Sequence, residues 1–262
     1  MPRIDAHIHA FPDRLATAVR DRLNVNGMLS GSPLLPDLAA SVRANGFGGA
    51  WVLPYAHRPG VAEAVNEWSA ATVPAFPGLV AGATFHPGDE GLPRLVHRAL
   101  VELGLRVVKL HCSVGGFDPS DRRLEPLWQT AAETGAPIVV HAGQVSPGDT
   151  DAGEIDALIP VLAAHPRTRV VLAHAGHPAT PRAIELMDRF ENLYADLTPV
   201  WDRPVAVDAA TIRRFPGRFL FGSDAPNNPV PASVQARKLD DLRLEPDELE
   251  LLLGEAAAAL VP

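Results

Sequence analysis

Eight short apolar, β-rich runs, separated by stretches with helical spacing, constrain this 262-residue chain more than any other feature. They cover residues 4–9, 50–53, 79–84, 107–110, 138–141, 170–174, 193–196 and 219–223. Their ends lie roughly thirty residues apart, the length one strand–helix unit needs. Several are apolar throughout rather than alternating, as expected of strands covered on both faces. Between them, Leu92, Leu95, Val96, Ala99 and Leu103 form one stripe at three- and four-residue spacing. The segment 121–134 stops before Gly135, and Pro181 suits the first turn of a helix capped by Thr180 and running to about Phe190. Segments 154–164 and 206–214 read as helices too, and 246–260 is a final helix rich in Leu, Glu and Ala. The alternation predicts an α/β fold, a (β/α)8 TIM barrel, with an open doubly wound sheet as its rival. The number of runs favours the barrel. So does the gathering of polar residues at run ends from the first to the eighth, because only a closed ring sets those two side by side.

No charge block or low-complexity segment divides the chain, so residues 1–262 read as one barrel domain. Residues 24–36 form an irregular stretch, expected as a lid over the barrel mouth. A hydrophobic share of 47% supplies a core of good size. The net charge of −8, without a Lys/Arg block, argues against nucleic acid as a partner. A single cysteine, Cys112, excludes a disulfide within the chain and a cysteine-based zinc site, and fits a reducing compartment. The first ten residues carry no apolar leader and no run is long enough to span a bilayer. The expectation is a soluble cytoplasmic protein that acts on a small molecule, without nucleic-acid or membrane partners. Its oligomeric state is not legible, and a homodimer is open.

The chemistry begins with Ile4-Asp5-Ala6-His7-Ile8-His9. In a strand His7 and His9 project to the same face, so two imidazoles can close on one metal ion. Further ligands must come from other run ends, where His141, His174 and Asp224 stand. Zinc and similar metals accept imidazole plus carboxylate. An isolated His-x-His is weak evidence; its coincidence with three strand-end candidates is what gives it force. His141 could instead be a buried histidine bonded to backbone, and Asp224 a turn cap. The C-terminal ends of barrel strands are nevertheless where such enzymes place function. Asp224 could also take a proton from a water molecule whose pKa a metal lowers. His174 is the best acid–base candidate, or a ligand to a second metal. His177, in the following loop, is expected to be exposed.

Lys109 is a charged residue inside an apolar run. It packs its stem with its amine at the mouth or contacts substrate; a carbamate bridging two metals ranks behind these. His111 shares its face two residues on, as a substrate contact or a structural group. Arg58 could hold a carboxylate through paired hydrogen bonds. His57 and His86 are weaker candidates on loops, and Asp196 ends the seventh run, where it could simply cap the next segment. Ser223 and Cys112 lack an adjacent base, and no Gly-rich phosphate loop follows a strand.

The segments IDAHIHAF, RVVKLHCS, APIVVHAG, VVLAHAGHP, NLYADLT and FLFGSDAP together resemble the amidohydrolase superfamily. Within it they resemble the amidohydrolase-related branch that includes aminocarboxymuconate-semialdehyde decarboxylase. The resemblance spans nearly the whole chain and implies a distorted barrel with one divalent metal, usually zinc. It assigns the metal to His7, His9, His141 and Asp224, and a proton-handling role to His174. The last segment, LLLGEAAAAL, has Glu255 where the family usually has Asn. In other branches a carbamylated lysine on the fourth strand bridges two metals, and Lys109 lies on that strand, which keeps a second metal open. The activity expected first is hydrolysis of a small amide, cyclic amide or lactone by metal-activated water, with His174 and Asp224 catalytic and Lys109, His111 and Arg58 binding substrate. Non-oxidative decarboxylation of a small carboxylic acid is the alternative, and a barrel that binds without turnover ranks last.

Overall fold

The computed structural model describes residues 2–24, 29, 31–141, 153–198 and 207–261. Among them, eight parallel strands follow one another in chain order: β1 (Ile4–Ile8), β2 (Gly49–Val52), β3 (Leu79–Thr84), β4 (Val107–His111), β5 (Ile138–His141), β6 (Val170–Leu172), β7 (Leu193–Asp196) and β8 (Phe219–Leu220). Backbone bonds close the ring: Ala6 N donates to Phe221 O at 2.9 Å, Asp224 N to His7 O at 2.8 Å and His9 N to Ala225 O at 2.7 Å. The barrel expected from the sequence is therefore the one observed.

Alternate residues of the strands separate two packing layers. Val108, Leu110, Ile138, Val140, Val170 and Leu172 pack in the large outer cluster against the helices. Val107, Val139, Val171, Trp51 and Leu53 pack in a smaller inner cluster, together with Ala256, Ala257 and Leu260 of the last helix. Lys109 and His111 share the inner face with Val107, and His141 shares it with Val139. The register of β1 against β2 shifts between Asp5 and Ile8, a bulge of the kind that re-aims side chains beside functional sites.

Two strands end earlier than their apolar runs suggest. β6 stops at Leu172, and Ala173–Gly176 form a tight turn in which His174 (φ 58°) and Ala175 (φ 47°) are left-handed. The reason is visible in the hydrogen bonds, because His174 N donates to the Asp196 carboxylate rather than to a neighbouring strand. β8 stops at Leu220, and Asp224 is also left-handed (φ 59°). Both left-handed turns lie at the C-terminal face, where backbone strain is most often kept for function.

Helices fill the connections, with some corrections. The stripe after Gly91 forms Leu92–His97 and continues as a π-turn over Arg98–Glu102. Thr180 does not cap its helix; it is the first helical residue, and its hydroxyl is buried without a partner among the described residues. The stretch after Gly153 is two short helices, Gly153–Asp156 and Leu158–Ala164. The next helix runs from Ala209 to Arg214 with Asp208 as cap; Ala206 lies outside the described residues. The final helix is broken at Gly254, where a side chain would run into the Pro2 carbonyl and the Ile4 amide. The long first connection holds helices Asp13–Leu23 and Leu35–Ala44. Of the stretch expected as a lid, residues 25–28 and 30 lie outside the described residues, and Pro36 is already helical.

Candidate metal centre

The ends of β1 and β8 meet at the C-terminal face, and His7, His9 and Asp224 meet with them. Each offers one ligand atom, and these atoms all lie within 4.8 Å of one another. His9 Nε2 is 3.2 Å from His7 Nε2 and 3.0 Å from Asp224 Oδ1; His7 Nε2 is 3.9 Å from the same oxygen. The outer nitrogen of each imidazole is committed elsewhere. His7 Nδ1 donates to Asp196 Oδ2 at 2.8 Å, and His9 Nδ1 to the Leu53 carbonyl at 2.6 Å. A carbonyl and an ionised carboxylate can only accept, so each Nδ1 carries a proton and each Nε2 faces inward, a lone pair while its ring is neutral. Two lone pairs and a carboxylate turned on one point repel unless positive charge stands among them.

Lys109 Nζ, 3.3 Å from His7 Nε2, supplies part of that charge, and a divalent cation would supply the rest. Donors bound at 2.0–2.1 Å with tetrahedral angles stand about 3.3 Å apart, which the 3.2 and 3.0 Å separations match. The donor set fits a divalent metal. Asp224 is held well below the ordinary carboxylate range: burial opposes its charge, but His9 and then His7 outweigh it. His7 is pushed down to about 3, first by burial and then by the Lys109 charge, so it is neutral.

His141 is not in this group. Its Nδ1 pairs with His174 Nε2 at 3.0 Å, and its ring stacks on His111 with centroids 3.9 Å apart. Adjacent register on β4 and β5 sets those two rings face to face. His174 Nδ1 points at the Thr198 carbonyl at 2.9 Å and the Thr198 hydroxyl at 2.6 Å. The relay then has a direction. His174 Nδ1 donates to the carbonyl, its Nε2 accepts from His141 Nδ1, and His141 Nε2 is left as a lone pair. Among the described residues that nitrogen is buried without a hydrogen-bond partner, as is His111 Nδ1. An orphaned imidazole lone pair beside the cluster is a further group a metal could use. Burial leads the causes that lower the pKa of both His141 and His174.

Lys109 is wholly buried, with Nζ 3.3 Å from His7 Nε2. Among the described residues no carboxylate lies within ion-pair distance of it. Burial lowers its pKa to about 8, against the attraction of Asp196 and Asp224. Arg58 and His57 are exposed on the loop after β2 and join no described ion pair. His86 is spent on structure, bonding the Gly115 carbonyl and the Gly88 amide. His177, expected to be exposed, is half-buried.

Sequence reasoning passed over two residues of the site and undervalued a third. Tyr55 is buried, with its ring edge-on to His9 at 5.3 Å and to His111 at 4.9 Å. Burial pushes its phenol up, so it remains a neutral donor. Thr198 holds His174. Asp196 is fully buried rather than an exposed cap, and bonds His7, His174 and Thr198. The available signal for Asp196 and Thr198 was their spacing of two at a strand end; Tyr55 offered only its place shortly after β2.

An eight-stranded parallel barrel with a histidine–aspartate cluster at its C-terminal face is the architecture of amidohydrolase-type enzymes. The chain belongs to the amidohydrolase family, whose model matches residues 4–262. That family is metal-dependent. Among solved structures it is similar to an uncharacterised TIM-barrel protein from Bordetella bronchiseptica: 21% identity, TM-score 0.75, with 99% of this chain and 98% of that one covered. It is similar to a protein from Pseudomonas putida assigned as a 2-pyrone-4,6-dicarboxylic acid hydrolase: 19% identity, TM-score 0.66, 99% and 97% covered. It is also similar to a 5-carboxyvanillate decarboxylase from Novosphingobium aromaticivorans complexed with manganese: 15% identity, TM-score 0.69, 99% and 95% covered. At these identities the likeness is one of fold. No curated protein matches the chain. Among the described residues no helix is long and apolar enough to cross a membrane.

Proposed function

We propose that this chain is a metal-dependent hydrolase that adds water to a small amide, cyclic amide or lactone. His7, His9 and Asp224 would hold one divalent ion, zinc or manganese, with His141 Nε2 as the further ligand. The observation that carries this reading is the convergence of two inward lone pairs and an ionised carboxylate within 4.8 Å. A divalent ion held there would polarise the scissile carbonyl and make water more acidic. Asp224, held ionised and facing the cluster, takes the proton of the attacking water. His174, neutral and anchored through Nδ1 on Thr198, handles a proton at Nε2 on its way to the leaving group. Tyr55 and His111 form an aromatic wall beside this centre, and Arg58 lies at the outer rim as a carboxylate contact. The site is read as acting on a small molecule within a 1–262 hydrolase domain.

One observation favours the second reading, non-oxidative decarboxylation. Lys109 is a buried cation with no carboxylate within ion-pair distance among the described residues, and a substrate carboxylate would complete it. The test is a panel of lactones, cyclic amides and aryl carboxylates incubated with the metal-loaded protein. Appearance of a new carboxyl group without carbon dioxide release supports hydrolysis; carbon dioxide release without a new carboxyl group supports the lyase. Turnover of neither class by protein shown to hold metal would sink both readings.

A further inference from the structure

The Asp196 carboxylate does more than end β7. Its two oxygens are divided between two different parts of the site. Oδ2 accepts from His7 Nδ1 at 2.8 Å, while Oδ1 accepts from the backbone of His174 at 2.8 Å and of Thr198 at 3.2 Å. The side chain is completely buried, so water cannot substitute for any of these bonds. Both amides are obligate donors. The carboxylate oxygen facing them must accept, and the other oxygen must accept from His7. A carboxylate alone can accept on both sides; an amide side chain cannot.

We infer that Asp196 is a positioning residue: one carboxylate fixes the His7 tautomer that turns Nε2 toward the cluster and holds His174 in its left-handed turn. The inference rests on the reading of His7 as a metal ligand. The second bond acts on a backbone that is strained, since His174 and Ala175 have φ of 58° and 47° without being glycine. The same bond brings Thr198 within reach of His174 Nδ1. Asp196 thus links the group that would hold the ion to the group that would move the proton. Charge is consistent with this arrangement. Burial alone would raise the Asp196 pKa, but its contact with His7 and the nearby His174 and Lys109 bring it down to about 2.

Asp196→Asn separates the two oxygens chemically while nearly keeping shape. The asparagine oxygen must stay with the two backbone donors. Its amino group then faces His7 Nδ1 and can only donate, so the ring proton moves to Nε2 and blocks the inward lone pair. Long-range 1H–15N spectra of the metal-free wild type read the tautomer directly. The expected result is a protonated Nδ1 and a bare Nε2 on His7; a protonated Nε2 in the neutral ring would overturn the inference without any variant. In Asp196→Asn the pattern should reverse, and affinity for Zn2+ or Mn2+ should fall about tenfold to a hundredfold, the usual cost of removing a carboxylate behind a metal-binding histidine. Thermal unfolding reports whether the variant folds. A folded Asp196→Asn protein with wild-type metal affinity and an unchanged His7 tautomer would refute the inference. A wild type that takes up neither ion, yet shows the Nδ1-protonated His7, would instead refute the metal reading and leave the tautomer role standing.

Discussion

His174 Nε2 and His141 Nδ1 stand 3.0 Å apart and hold one proton between them when both rings are neutral. The Thr198 carbonyl decides which ring carries it, because it fixes the other His174 nitrogen as a donor. A group that can accept at Nε2 therefore lies beside the cluster of His7, His9 and Asp224 without being part of it.

Replacing His174 by Ala should lower turnover about a hundredfold to ten-thousandfold, the usual contribution of a positioned acid–base group. Metal content, measured by elemental analysis on the same preparation, should remain that of the wild type. Unchanged turnover would remove the proton-handling role, and loss of the metal together with turnover would make His174 a ligand.

Chelation should abolish activity and lower the unfolding temperature, and both should return on adding Zn2+ or Mn2+. An ion that binds only the folded chain stabilises it by about 2.7 kcal/mol at a hundred times its dissociation constant. One ion per chain fits His7, His9, His141 and Asp224 with Lys109 as a plain amine. Two ions per chain would move Lys109 to a bridging carbamate and His174 to a ligand.

Lys109→Met should fold at least as stably as the wild type. The change removes a buried ammonium that has no carboxylate within ion-pair distance among the described residues, and its replacement fills similar space. Binding of carboxylated substrates should weaken roughly tenfold to a hundredfold, as a lost charge-assisted contact of about 1.5–3 kcal/mol dictates, while neutral lactones should be unaffected. KM compared across the two substrate types checks this. An equal effect on both would show that Lys109 acts on the site and not on the carboxylate.

Gly222→Ala should destabilise the protein by about 1–3 kcal/mol through overpacking. A methyl group there would overlap the Thr198 methyl and stand 2.6 Å from His7 Cβ. Because those neighbours carry His174 and the cluster, metal affinity should fall along with the denaturation midpoint. A midpoint equal to wild type would show that the strand ends yield more easily than their burial suggests.

The barrel was legible in the sequence, because eight β-rich runs at strand–helix spacing, several of them apolar throughout, have few ways to bury both faces. The sequence by itself also determined that His7 and His9 share a face and that Asp224 ends the eighth run. It misjudged how far the runs continue as strands. Side-chain acceptors such as Asp196 and Asp5 compete with ladder bonds, and Ala173 and Phe221 remain apolar while leaving the sheet. The tertiary structure alone set the His141 ring against His174 rather than within the group of His7, His9 and Asp224, buried Lys109 away from every described carboxylate, left Arg58 at the surface, and brought Tyr55 edge-on to His9. Those relations depend on ring tilt, strand register and loop path over distances of an ångström or two. Periodicity assigns a residue to a face; the hydrogen bonds that each buried nitrogen must find decide where on that face it points.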